Sequence, residues 1–345
     1  MRRRAAKVLA GLAALAGVGA VAERMVASPR YRGSRSDHFD GQRFHNPAGA
    51  LKHDGSFLEW QLTKERGWWP EWIDAPYGPA PPARVGGGGM RVTFINHATL
   101  LLQVDDVNIL TDPIWSERTS PVAFAGPRRH RAPGIRFQDL PRIDVVLVSH
   151  NHYDHLDVAT LRRLRLRDRP RIITPLGNGA LMARHGIDNV TELDWWQAAP
   201  LVGETTITCV PAQHFSARAL SDRDANLWGG FVVGGRSGNV YFAGDTGWGG
   251  HFAEIGARFP IRLALLPIGA YKPRWFMRSA HVDPAEAVEA HRQLHAATSV
   301  AMHFGTFQLG DDGLTDPVRD LRHAITGAGD PRFWVLEQGE GRDVP

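Results

Sequence analysis

A chain of 345 residues with 43% apolar content can bury a substantial core, as one large α/β domain or as two smaller ones. Forty Lys and Arg against 36 Asp and Glu leave a net charge of +4, a mild excess that favours anionic surfaces without choosing between phospholipid and nucleic acid. A single cysteine, Cys209, excludes an intrachain disulfide and a Cys-rich zinc site, whereas histidine is abundant at 16.

The chain opens with Arg2, Arg3, Arg4 and Lys7, then an apolar stretch from Val8 to Ala22 that ends in the small-residue run Ala20-Val21-Ala22. That order is the order of a signal peptide, and the apolar stretch is shorter than the roughly 20 residues that span a bilayer as a helix. Residues 1–26 therefore read as a signal peptide or a short membrane anchor. On insertion the arginines would stay cytoplasmic and the body would be exported, which predicts a membrane-associated protein. Residues 27–89 lack sustained periodicity and gather Trp60, Trp68, Trp69 and Trp72 ahead of Pro76, Pro79, Pro81, Pro82 and the run Gly86 to Gly89. This segment reads as an extension packed onto the core by its aromatic rings and closed by a loop.

From residue 90 to 345 strands alternate with helices. Arg91 to Ile95, Leu100 to Val104 and Val107 to Leu110 predict successive strands, and the valine-rich run Ile143 to Val148 predicts a strand buried on both faces. Asp157 would cap a helix carrying Val158, Leu161 and Leu164 on one side, with Arg162 to Arg171 as its solvated face. Ile172–Ile173, Thr206 to Val210, Phe231 to Val233, Val240 to Ala243, Leu263 to Leu266 and Ser299 to Met302 predict further strands. Asp283-Pro284-Ala285-Glu286 combines an acidic N-cap, Pro at N1 and Glu at N3, the start of another helix. Mixed elements of this kind predict a layered α/β sandwich.

Between the buried strand and the capped helix lies Ser149-His150-Asn151-His152-Tyr153-Asp154-His155. Neutral imidazole and carboxylate are zinc's usual non-thiolate ligands. His150 and His152, two apart in extended chain, point to one side; Asp154 and His155 follow after the chain has begun to turn and face an adjacent site. Three other strands also run into ligand-type residues, His214, Asp245 and His303, at the ends where α/β sheets present their sites. Taken singly, each is better explained as a hydrogen-bonded polar residue; with the histidine run they read as a set. The assignment predicts two Zn2+ per chain: His150, His152 and His214 on one, Asp154, His155 and His303 on the other, and Asp245 bridging. Two cations about 3.5–4 Å apart suit hydrolysis. Asp112, just beyond a strand, is a candidate for orienting one of the ligand histidines from behind.

Longer stretches carry a resemblance. SHNHYDHLD (149–157), ELDWW (192–196), FAGDTG (242–247), PIGAYKPRWFM (267–277), HVDPAEA (281–287) and HFGTF (303–307) are together similar to the N-acylphosphatidylethanolamine-hydrolysing phospholipase D family of the metallo-β-lactamase superfamily, from about Gly41 to the C-terminus. The resemblance implies an αβ/βα sandwich of two mixed β-sheets flanked by helices. It implies zinc-dependent hydrolysis of a phospholipid headgroup to an N-acylethanolamine and phosphatidic acid. The seven metal ligands carry over one by one, and Asp154, Asp245 and His281 become the implied catalytic residues, with His281 beside the phosphate. The implied partners are a phospholipid substrate and a membrane surface, and a homodimer is allowed. No nucleic-acid partner is expected, because the basic excess is small and no added RNA-binding arm is visible. Phe304 stands where the animal enzymes usually have Trp, and residues 30 to 90 match too loosely to carry over a lipid-contacting surface. The hydrophobic leader, absent from the animal members, points to a bacterial chain on the periplasmic or cell-envelope side. Alternative readings are a lactonase, β-lactamase or nuclease on the same metals, or a non-enzymatic envelope protein that kept the fold.

Overall fold

The computed structural model describes residues 23, 25–47, 55–201 and 203–345. Its strands form two mixed seven-stranded sheets. In the first, β1 (Met90–Asn96), β2 (Thr99–Val104) and β3 (Val107–Thr111) make an antiparallel meander, and β4 (Val145–Leu147), β5 (Arg171–Pro175) and β6 (Val190–Leu193) continue it in parallel. In the second, β7 (Ala198–Pro200), β8 (Thr206–Val210), β9 (Gly230–Gly234) and β10 (Asn239–Phe242) run antiparallel, and β11 (Ile261–Pro267), β12 (Thr298–Met302) and β13 (Phe333–Trp334) extend the edge in parallel. The C-terminal β14 (Gly341–Asp343) returns to pair with β1 of the first sheet.

Local chemistry explains both modes of pairing. Asp105 and Asp106 take φ of 51° and 62° between β2 and β3, the left-handed pair that a tight two-residue hairpin turn requires. Parallel neighbours need a crossover, and two of them are α2 (Val158–Arg167) and α3 (Gly179–Arg184), preceded in the chain by α1 (Phe57–Thr63). Asp157 caps α2 through its side chain to the amide of Ala159. After α4 (His251–Arg258) and the short α5 (Arg274–Met277) comes α6 (Pro284–Gln293), which opens with the expected capping box of Asp283 and Glu286. The last helix is α7 (Asp316–Gly327).

Packing then stacks the layers. Phe94, Leu100, Leu102, Phe231, Tyr241 and Leu265 belong to one continuous cluster that joins the sheets and takes in Phe252 and Ile255 of α4 and Ala287 and Val288 of α6. A second cluster sets Ile95, Leu101, Leu110, Val146 and Ile172 against Leu161 and Leu164 of α2 and Leu181 and Met182 of α3. Each leucine so buried is worth about 1.5–3 kcal/mol of hydrophobic stabilisation. The result is the αβ/βα sandwich.

Ahead of β1, Phe39 and Phe44 pack with Ala212, Leu227 and Trp228. The four early tryptophans divide: Trp60 is buried and donates to Asp311, Trp69 donates to the carbonyl of Asp312, and Trp68 and Trp72 stay exposed. Packing thus accounts for half of them.

The expected signal peptide or anchor falls on residues 1–22, outside the described residues, and on the few that follow. The expected membrane-associated placement on the periplasmic or envelope side is corrected as far as a spanning anchor goes: no helix among the described residues is long and apolar enough to cross a membrane. The longest, α7, has 12 residues. At 1.5 Å per residue that is about 18 Å, well short of a hydrocarbon core of about 30 Å.

Candidate metal centre

Four strand ends converge on one point. The loop after β4 carries Ser149 to Leu156 and closes as a turn, with Leu156 N–H donating to the carbonyl of His152 at 2.9 Å. His214 follows β8, Asp245 follows β10 and His303 follows β12. Gly244, at φ 60°, lets the Asp245 loop pass against this turn; a Cβ there would stand 2.6 Å from that of Ser149.

The imidazoles are oriented from behind. His155 Nδ1 donates to Asp112 Oδ2 at 2.6 Å, His214 Nδ1 donates to the carbonyl of Ala280 at 2.9 Å, and His150 Nδ1 meets Ser149 Oγ at 2.9 Å. Each such bond leaves the opposite ring nitrogen to face inward. His150 Nε2 and His152 Nδ1 then stand 2.8 Å apart, and His214 Nε2 lies 3.3 Å from His152 Nδ1. The donor atoms of His150, His152 and His214 all lie within 4.8 Å of one another. A second group of the same tightness contains Asp154, His155 and His303, and it also contains His97. Asp245 touches both: Oδ2 is 3.2 Å from His155 Nε2 and 3.8 Å from His214 Nε2, and Oδ1 is 3.2 Å from His303 Nε2. His281 Nδ1 lies 3.9 Å from Asp245 Oδ2, and His281 forms a third tight group with Asp245 and His214. All seven expected ligands, with His281 and Asp112, are therefore brought together.

The electrostatics ask for positive charge. Burial raises the Asp154 and Asp245 carboxyls, but the facing imidazoles, His155 foremost, outweigh it and hold both well below the usual carboxylate range. Burial lowers His303, yet Asp245 and Asp154 lift it to about 9, and the same carboxylates with Asp112 lift His155 well above the ordinary histidine value. At the other group burial and neighbouring imidazoles push His150 and His214 well down, so these rings are neutral donors. His155 Nε2, His303 Nε2 and Asp245 Oδ1 are buried without a hydrogen-bond partner. Orphaned polar atoms cost roughly 1–3 kcal/mol each, and a shared cation removes that cost. Imidazole and carboxylate without thiolate is a donor set that fits a divalent metal.

Above the centre opens a cavity of about 740 Å³. His152, Asp154, Asp245 and His281 supply its polar floor, and Phe57, Trp60, Phe215, Leu220, Phe276 and Met277 line it with apolar surface.

A β-lactamase superfamily domain profile matches residues 107–304, the span that holds every expected ligand. The chain belongs to the metallo-β-lactamase superfamily. It is 40% identical over 267 residues to N-acyl-phosphatidylethanolamine-hydrolyzing phospholipase D 1 of Caenorhabditis elegans, covering 73% of this chain and 75% of that one. An uncharacterised protein of Mycobacterium tuberculosis is 38% identical over 331 residues, covering 91% of this chain and 85% of its own length. The solved isothiocyanate hydrolase from Delia radicum gut bacteria shares the fold, with a TM-score of 0.60, 24% identity and coverage of 73% of this chain and 98% of that one. As a metallo-β-lactamase-fold protein with two candidate ligand clusters, the chain is a metal-binding hydrolase with a dinuclear centre.

Two further residues at this superfamily centre carry no sequence motif. His97, in the β1–β2 turn, is buried with Nε2 2.9 Å from Asp154 Oδ2. Asn46, from the N-terminal segment, clasps the backbone of His214, accepting from its N–H at 2.9 Å and donating to its carbonyl at 2.8 Å. A histidine between two apolar strands was the only hint of the first. Nothing local marks the second.

Proposed function

We propose that the chain is a zinc-dependent phosphodiesterase of phospholipase D type, which hydrolyses N-acylphosphatidylethanolamine to N-acylethanolamine and phosphatidic acid. The observation that carries this reading is the apolar cavity ending on a floor of His152, Asp154, Asp245 and His281, a shape that takes an acyl-bearing molecule with its phosphate at the metals. The identity to the Caenorhabditis elegans phospholipase supports the same substrate class.

His150, His152 and His214 would hold one zinc, Asp154, His155 and His303 the other, with Asp245 between them. Bound there, zinc supplies Lewis acidity toward phosphate oxygens and acidifies water. The chain's own groups set the rest. Asp112 and the Ala280 carbonyl fix the tautomers of His155 and His214. His281, whose Nδ1 is buried without a hydrogen-bond partner, stands beside Asp245. It would donate a hydrogen bond to a phosphate oxygen or pass a proton to the departing alkoxide.

The test is mass spectrometry of lipid products from protein carrying two zinc ions per chain, with N-acylphosphatidylethanolamine in detergent micelles. Phosphatidic acid and N-acylethanolamine should form, vanish on chelation, return with zinc, and be lost in Asp245→Asn. Zinc-loaded protein that leaves this lipid intact while turning over a lactone or an isothiocyanate would sink the reading.

A further inference from the structure

We infer that His97 is a positioning residue for the second metal, holding Asp154 in the orientation that ligation requires. The inference rests on the assignment of Asp154, His155 and His303 to one ion. Asp154 Oδ2 faces His155 Nε2 at 3.1 Å and His303 Nε2 at 3.4 Å, and His97 Nε2 grips the same oxygen from a third side at 2.9 Å. A carboxylate's terminal torsion is broad and roughly two-fold, so without a fixed donor either edge can turn inward. One rigid donor selects the edge.

The donor is itself held at several points. Its ring packs on His303 with centroids 4.0 Å apart and meets the edge of Phe307 at 5.3 Å. The backbone N–H of His97 donates to Thr306 Oγ1 at 3.0 Å, and its carbonyl accepts from the N–H of His303 at 2.7 Å. The turn that orients Asp154 is thus tied directly to the backbone that presents His303.

Hairpin closure alone does not call for this residue. His97 sits at φ 46°, where glycine or asparagine fits with less strain. Strain kept at a buried position beside a metal-type cluster points to the side chain's task.

The experiment titrates metal-free wild type, His97→Ala and His97→Gln with zinc against a competing chromophoric chelator, alongside thermal unfolding of each metal-free protein. Wild type should take two ions. His97→Ala should weaken one of the two by about 10–100-fold, as loss of a partner behind a ligand does, with little change in metal-free stability. His97→Gln, whose amide nitrogen stands where Nε2 does and can still donate toward Asp154, should recover most of the loss, and it decides the matter alone if the alanine variant does not fold. Two tight ions in His97→Ala, or His97→Gln no better than alanine, overturns the role; the second result would mean that His97 is itself a ligand. Wild type that fails to take two ions would instead remove the ligand assignment beneath it.

Discussion

Asp112 Oδ2 lies 2.6 Å from Nδ1 of His155, with both side chains fully buried. The same carboxylate accepts from the amide and hydroxyl of Ser149 at 2.7 and 2.6 Å, so it ties the ligand loop at two points. Asparagine has one acceptor oxygen where three donors converge, and its amide would face a donor. Asp112→Asn is expected to weaken retention of metal by about 10–100-fold, read as zinc per chain after dialysis against a zinc buffer. Unchanged content would take Asp112 out of the centre.

His281 can be separated from the ligands by what its loss spares. His281→Ala should lower kcat on the lipid by about 10²–10⁴-fold, the usual range for a general acid or base, while zinc content stays at two. Loss of one zinc together with activity would place His281 among the ligands of the His214 and Asp245 group.

Two residues beyond His281, the Asp283 side chain accepts from the amide of Glu286 at 2.9 Å, and Glu286 accepts from that of Asp283 at 3.0 Å. Asp283→Ala should cost about 0.5–2 kcal/mol by thermal unfolding. Because α6 begins where the His281 loop ends, KM for the lipid should rise while zinc content holds. No change in melting would mean that the helix start is held by packing alone.

A pH dependence follows from His38. Burial lowers its pKa, but hydrogen bonds to Asp194 at 2.7 Å and Asp37 at 2.6 Å outweigh this and leave it raised. A raised folded value means the contribution is fully present below the ordinary histidine pKa of about 6.5 and is lost as pH climbs through the folded value. His38 also stacks on Trp195, with ring centroids 4.5 Å apart. Amide exchange across residues 36–45 should therefore accelerate more steeply above neutrality in wild type than in His38→Gln. Equal pH profiles would show that Phe39 and Phe44 alone seat this segment.

Where the sequence could be read, the forces were local. The capping box at Asp283 and the cap at Asp157 join residues two or three positions apart, and β4 declares itself by an unbroken run of apolar residues. The candidate ligands were legible because four of them share one short loop and each of the others closely follows a strand. The elements that escaped lack that signal. β7 (Ala-Ala-Pro) exposes two of its three residues, β14 is Gly-Arg-Asp, and α3 has six residues with no side-chain cap. His97 and Asn46 escaped for a different reason: each acts on a partner brought near only by the tertiary fold, Asp154 in one case and His214 in the other.

The candidate donors are split between the halves of the sandwich, with His150 to His155 hung from the first sheet and His214, Asp245 and His303 from the second. An ion seated there is a rivet through the hinge line of the molecule. Neither leaf alone can chelate as the pair does, so uptake of the ions serves as a readout of completed assembly. Stripping them should loosen the seam between the leaves before it melts either one.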